Sequence, residues 1–134
     1  MKLVFVTKET LGDWFEKARP LIQQIAEGSL GRHTVETLRK ELEAGTYWMA
    51  VAAEESVRAC LIATSTTWGT GLKEIVVIGL TGNGMKAWLH LEDGMRAAAK
   101  KEGAVLKAYA RPGWARVLKS RGYKMTHVIL EMAP

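Results

Sequence analysis

The chain has 134 residues, 48% apolar and 25% charged, enough for one globular core and too few for two. Nineteen Lys and Arg against fourteen Asp and Glu give a net charge of +5, which favours anionic partners; the basic residues are scattered, with Lys100-Lys101 the longest run, so a nucleic-acid-binding domain is disfavoured. No segment has the ~20 apolar residues of a membrane span, Met1–Thr7 is too short for a secretory leader, and the single cysteine, Cys60, excludes an internal disulfide or a cysteine-ligated zinc, so a reducing cytoplasm is expected.

Residues 2–7 alternate, with Leu3 and Phe5 on one face and Val4 and Val6 on the other, which predicts a short strand buried on both sides. From Thr10 the period becomes helical. Leu11, Trp14, Phe15, Ala18, Ile22 and Ile25 share one stripe, Pro20 predicts a kink or split within it, and Gly28-Ser29-Leu30-Gly31 ends it. Thr34 is the expected N-cap of a second helix, with Glu36 in its first turn, Val35, Leu38 and Leu42 on its apolar face, and Gly45 closing it. Strands are predicted over Thr46–Ala53 and Arg58–Trp68, a hairpin around Glu54-Glu55-Ser56.

Gly69-Thr70-Gly71 turns the chain into Glu74-Ile75-Val76-Val77-Ile78, the most apolar strand and therefore central in the sheet. A glycine loop follows, Gly79-Leu80-Thr81-Gly82-Asn83-Gly84. After it comes a helix with Trp88, Leu91, Met95, Ala98 and Ala99 on one face and Gly103 as its cap. Ala104–Ala110 reads as a strand. Pro112 opens a last helix and Gly122 lies just past its end, and Lys124–Met132 reads as a closing strand with Val128, Leu130 and Met132 on one face. The order β-α-α-β-β-β-α-β-α-β predicts an α/β fold with one mixed sheet, helices on both faces, and a single domain over residues 1–134.

The glycine loop is the chemical signal. A helix begins with amide N–H groups that have no intrahelical partner, and its dipole places partial positive charge there. Gly82 and Gly84 present no side chain to keep an anion away, Asn83 lies between them, and Met85 and Lys86 open the helix, Lys86 adding a cation. Together these residues would suit a phosphate or diphosphate. A tight strand-to-helix turn would need the same glycines for its backbone angles alone. The pattern G-x-x-G-x-G is neither the dinucleotide fingerprint nor a P-loop.

Gly82-Asn83-Gly84, the following Lys86–Glu92, and the segment Trp114–Tyr123 resemble the GCN5-related N-acetyltransferase superfamily, as does the order of elements along the whole chain. In that family a [Q/R]-x-x-G-x-[G/A] loop after the fourth strand holds the diphosphate of acetyl-CoA, so the resemblance implies acetyl-CoA as cofactor and an amine, of a small molecule or a peptide, as acceptor. It also implies that backbone groups of Val77, Ile78 and Gly79 grip the cofactor and polarise its thioester. Glu74, the only carboxylate on that strand, becomes the candidate general base, although a solvated strand end accounts for it equally well. Many members of the family are homodimers.

Three positions depart from the family pattern. Gly79 stands at the Gln/Arg position, Leu118 where a tyrosine often protonates the departing thiolate, and Arg111 where an asparagine is common. The compact chain is also similar to short acetyltransferase-like proteins of bacteriophage genomes. A second reading therefore stays open: a protein of this fold that binds or builds without turnover. The three histidines have no ligand spacing, so no metal is expected. Cys60 is expected in the core, Tyr123 at a core position with reach to the thiol as the alternative, and Trp68, beside Gly69 at a strand end, in packing by default, with an acceptor pocket or a dimer contact as the alternatives.

Overall fold

The computed structural model describes every residue, Met1–Pro134. In chain order it has β1 (Lys2–Phe5), α1 (Leu11–Glu27), α2 (Val35–Ala44), β2 (Trp48–Ala53), β3 (Val57–Thr67), β4 (Lys73–Gly82), α3 (Met85–Glu102), β5 (Val105–Ala108) and α4 (Pro112–Ser120). The strands form one sheet in the order β1-β2-β3-β4-β5. The first three pairings are antiparallel and the last, β4 with β5, is parallel. The α/β fold with one mixed sheet is thus the one expected.

Strand alternation divides the core into two layers. Met49, Val51, Cys60 and Ile62 face α1 and α2, where they meet Phe15, Ala18, Ile22, Ile25, Leu38 and Leu42. Ala50, Ala52, Ala59, Leu61 and Ala63 face the other way, toward Ala87, Leu91, Met95 and Ala99 of α3. Small residues on that second face let α3 sit close to the sheet. At Gly94 an added Cβ would come within 2.3 Å of the Leu3 side chain.

Four local expectations need correction. The first strand is not buried on both sides, because β1 lies at the edge of the sheet and Phe5 is exposed. Pro20 neither splits nor ends α1, which runs unbroken from Leu11 to Glu27; buried residues before and after the proline hold both halves on the sheet. The glycine loop is mostly strand, because β4 continues to Gly82 and pairs with β3 as far as Gly82 opposite Ala59. The closing strand over Lys124–Met132 is not formed, and Val128, Ile129, Leu130 and Met132 are exposed. Alternation along one segment suits a strand, but a strand also needs an edge to bond with. Here the Arg32–Glu131 ion pair ties this segment to the turn after α1. The caps follow the sequence: the Thr34 hydroxyl accepts from the Thr37 N–H at 3.1 Å, and Gly45 and Gly103 adopt the left-handed conformation.

Candidate active site

β4 and β5 pair only from Glu74 opposite Val105 to Val77 opposite Ala108, and then they part. The gap is a cleft of about 290 Å³. Val77, Ile78, Gly79, Leu80 and Thr81 form its β4 wall, with Ala108, Tyr109 and Ala110 opposite; Gln24 and Ile25 of α1 and Gly28 and Ser29 just after it border one side, and Trp88, Trp114, Leu118 and Tyr123 the other.

An inserted residue makes the β4 wall irregular. Gly79 pairs with Ile62 and Val77 with Ala63, so Ile78 is an extra residue in a β-bulge. Ile78 packs into the α1 layer, and an added Cβ at Gly79 would also point at α1. Val77 and Leu80 lie in the α3 layer. Two neighbours facing the same way is what an inserted residue produces, and it frees a backbone group from the ladder beside the cleft. Thr81 continues on the α1 side, where its hydroxyl donates to Gln24 Oε1 at 2.8 Å.

The glycines have other work than the sequence suggests. At Gly79 an added Cβ would lie 2.3 Å from Cγ2 of Ile25, and at Gly82 2.7 Å from Cβ of Ala59. Both make room for protein neighbours and not for an anion. The Asn83 N–H is already taken by the Arg58 carbonyl at 2.8 Å. Gly84 differs: its φ is +95°, and nothing lies within 4 Å of the Cβ it lacks. It gives α3 no side-chain cap, and the first helical bond is Trp88 N–H to Gly84 C=O at 3.4 Å. The amides of Met85, Lys86 and Ala87 therefore point out of the helix without a protein acceptor. Of the expected cofactor residues, Val77, Ile78 and Gly79 line the cleft, whereas Gly82, Asn83, Gly84, Met85 and Lys86 lie beyond its lining at the end of β4.

Glu74 is not in the cleft lining. Its carboxylate accepts the Trp68 indole N–H at 2.6 Å, at the hairpin end of β4. Trp68 itself is exposed there. Four residues of strand, about 13 Å, separate Glu74 from Ile78.

Sequence reasoning missed the far wall. Trp88 and Trp114 stack with ring centroids 4.5 Å apart and planes 7° from parallel, joining α3 to α4. Beneath them Glu92, 3% exposed, binds Arg96 at 2.6 Å and Arg121 at 2.8 Å. Burial pushes the Glu92 pKa up, but the two guanidinium groups outweigh it and hold the carboxyl below its ordinary value of 4.5. Tyr123 is pushed up to about 12, first by burial and then by the Glu92 charge, so it stays a phenol. The signal for Glu92 was in the helix period: Trp88, Leu91, Met95 and Ala99 bracket it on the buried face. Cys60 is fully buried, and its thiol pKa is pushed up to about 12, so it is inert core.

No family model matches the sequence, and no curated protein does either. Solved structures match along the full chain. A ribosomal-protein-alanine N-acetyltransferase from Brucella melitensis biovar Abortus is similar at 14% identity and TM-score 0.71, over 98% of this chain and 99% of that one. An aminoglycoside acetyltransferase from an uncultured soil metagenomic sample, in complex with sisomicin, matches at 13% identity and TM-score 0.71, over 99% and 96%. A predicted acetyltransferase with acetyl-CoA from Clostridium acetobutylicum matches at 14% identity and TM-score 0.67, over 98% and 95%. With this element order, and β4 and β5 parting at a bulge, the chain has the GCN5-related N-acetyltransferase fold.

Proposed function

We propose that the protein is an acyl-CoA-dependent N-acetyltransferase that moves an acetyl group from acetyl-CoA to an amine of a small molecule or peptide. The observation that carries this reading is the cleft between the diverging ends of β4 and β5, with a bulge in its wall. A pantetheine arm is a slender chain of amides and methylenes. It suits a slot with apolar walls at Val77, Leu106 and Trp88 and backbone groups at its rim. A backbone N–H released from the ladder near Ile78 and Gly79 would polarise the thioester carbonyl, which develops negative charge when the amine attacks. Gly84 and the amides of Met85, Lys86 and Ala87 would face the cofactor's diphosphate, with the Lys86 ammonium beside them. The bound acetyl-CoA supplies the activated acyl group, and the cleft holds it where an amine can reach it.

Glu74 is the proposed base. From outside the cleft, with about 13 Å of strand between it and Ile78, it would take the amine's proton through a relay of several waters, for an acceptor that arrives from the hairpin end of β4. The protein is proposed to work in the cytoplasm as a homodimer. The dimer would use the free edge of β5, where Val105 and Tyr109 are exposed, together with the apolar Val128–Leu130 segment.

The reading is tested by adding acetyl-CoA and following both the melting temperature and thiol release with a panel of amines. A rise in Tm together with amine-dependent thiol release is expected. A rise without release would make the chain a cofactor-binding protein that no longer turns over, the reading favoured by Leu118, which brings no hydroxyl to the cleft. No rise at millimolar acetyl-CoA would refute cofactor binding.

A further inference from the structure

Glu92 and Arg111 are the only charged residues that line the cleft. Glu92 is neutralised by Arg96 and Arg121. Arg111 has no such partner. Five of the eight arginines, Arg19, Arg32, Arg39, Arg96 and Arg121, are in ion pairs, and of the other three only Arg111 borders the cleft. It is held as the N-cap of α4, in extended backbone, with Pro112 fixing the turn behind it. Its guanidinium reaches across the mouth of the cleft toward the end of α1, where Nη2 lies 3.5 Å from the position a Cβ would take on Gly28.

β4 and β5 are parallel, so Arg111, after β5, stands at the same end of the sheet as Gly84 and the open amides of α3, after β4. An unpaired guanidinium on the α1 side of the sheet, and the Lys86 ammonium and the positive end of α3 on the opposite side, thus lie at the same end of an otherwise neutral, apolar slot. Such a surplus suits a group carrying several negative charges. Gly79 cannot supply a cation here, because Ile25 fills the space its side chain would need.

Resting on the acetyl-CoA reading above, we infer that Arg111 is a cofactor-binding residue that grips the phosphate groups of coenzyme A. It does so from the β5 side, replacing a side-chain contact that β4 has no room to provide. The guanidinium forms charge-assisted hydrogen bonds to phosphate oxygens, closing the mouth of the cleft over the pantetheine arm.

The test compares wild type with Arg111→Gln and Arg111→Lys by calorimetric titration with acetyl-CoA, acetyl-dephospho-CoA and S-acetyl-pantetheine. Arg111→Gln should weaken acetyl-CoA binding roughly ten- to hundredfold while leaving S-acetyl-pantetheine binding at the wild-type level. Arg111→Lys should recover part of the loss. A loss that persists with the dephospho compound assigns the diphosphate, and one that disappears assigns the 3′-phosphate. Unchanged acetyl-CoA binding in Arg111→Gln, or an equal loss for S-acetyl-pantetheine, would overturn the inference and leave the acetyl-CoA reading standing. Wild type that binds none of the three overturns both.

Discussion

Gly79 offers a sharp test of how β4 is built. Its backbone is not in the left-handed region, so alanine is compatible with its dihedral angles and any cost must come from space. An alanine Cβ would lie 2.3 Å from Cγ2 of Ile25 and 3.2 Å from its Cβ and Cγ1. Ile25 cannot easily turn aside, being β-branched within a helix, where one rotamer dominates, and packed in the α1 layer. Overpacking of this kind costs about 1–3 kcal/mol. Restricting the unfolded chain returns about 0.4–1 kcal/mol. Gly79→Ala should therefore destabilise by about 1–2 kcal/mol, lowering Tm by roughly 3–10 °C in a chain of this size. Ile25→Ala alone should cost about 2–4 kcal/mol through its cavity. In the double variant the new methyl enters that cavity, so the two costs should fall short of their sum by at least about 1 kcal/mol. Urea unfolding followed by tryptophan fluorescence measures all four corners of the cycle. Strict additivity, or a neutral Gly79→Ala, would refute the claim that Ile25 is why position 79 is glycine.

Glu92→Gln should destabilise by about 2–4 kcal/mol, because Arg96 and Arg121 lose the charge that binds α3 to the end of α4. A carboxyl whose folded pKa lies below 4.5 adds stability above that pH and loses it as pH falls through the folded value, so the variant's acid unfolding limb should be shallower below about pH 4.5. Glu74→Gln should lower amine acetylation about a hundredfold while the Tm rise with acetyl-CoA persists; full activity would remove Glu74 as base. Gly84→Glu should abolish that rise, read as the difference with and without ligand so that strain at φ +95° cancels, and an unchanged rise would take the start of α3 out of the cofactor site. Tyr123→Phe should change the rate of acetyl transfer less than about threefold, whereas a hundredfold loss would identify it as the acid.

The strands and helices were legible because alternation and helical period each answer to burial. Val4, Val51 and Ile62 fall on the α1 face, and Leu3, Leu61 and Leu91 on the other side of the sheet. Capping residues such as Thr34, Gly45 and Gly103 act locally and so could be read locally. The glycines of β4 could not. Whether a missing side chain makes room for a phosphate or for Ile25 depends on a helix fifty residues away in the chain. The Lys124–Met132 segment misled for a similar reason: its alternation describes a strand's faces but is silent about the edge it would join. The cleft was legible only through resemblance, since the parting of β4 from β5 belongs to their pairing and to no single residue.

The absence of a hydroxyl at Leu118 limits the chemistry less than it first suggests. Tyr123 lies in the same cleft, but with a pKa of about 12 it is a poor acid toward a thiolate, whose own thiol has a pKa near 8.5. The Glu92 charge that helps hold α4 in place also disfavours phenolate at Tyr123. Structural cohesion of this wall is therefore opposed to acid catalysis from it. A thiolate can leave without a proton and take one from water afterwards, since its basicity is modest. The cleft is suited to hold a thioester and polarise its carbonyl, with protonation of the departing thiolate left to solvent. The rate should then follow how well the cofactor is gripped and how much of the amine is unprotonated, and should rise with pH until the amine is fully deprotonated.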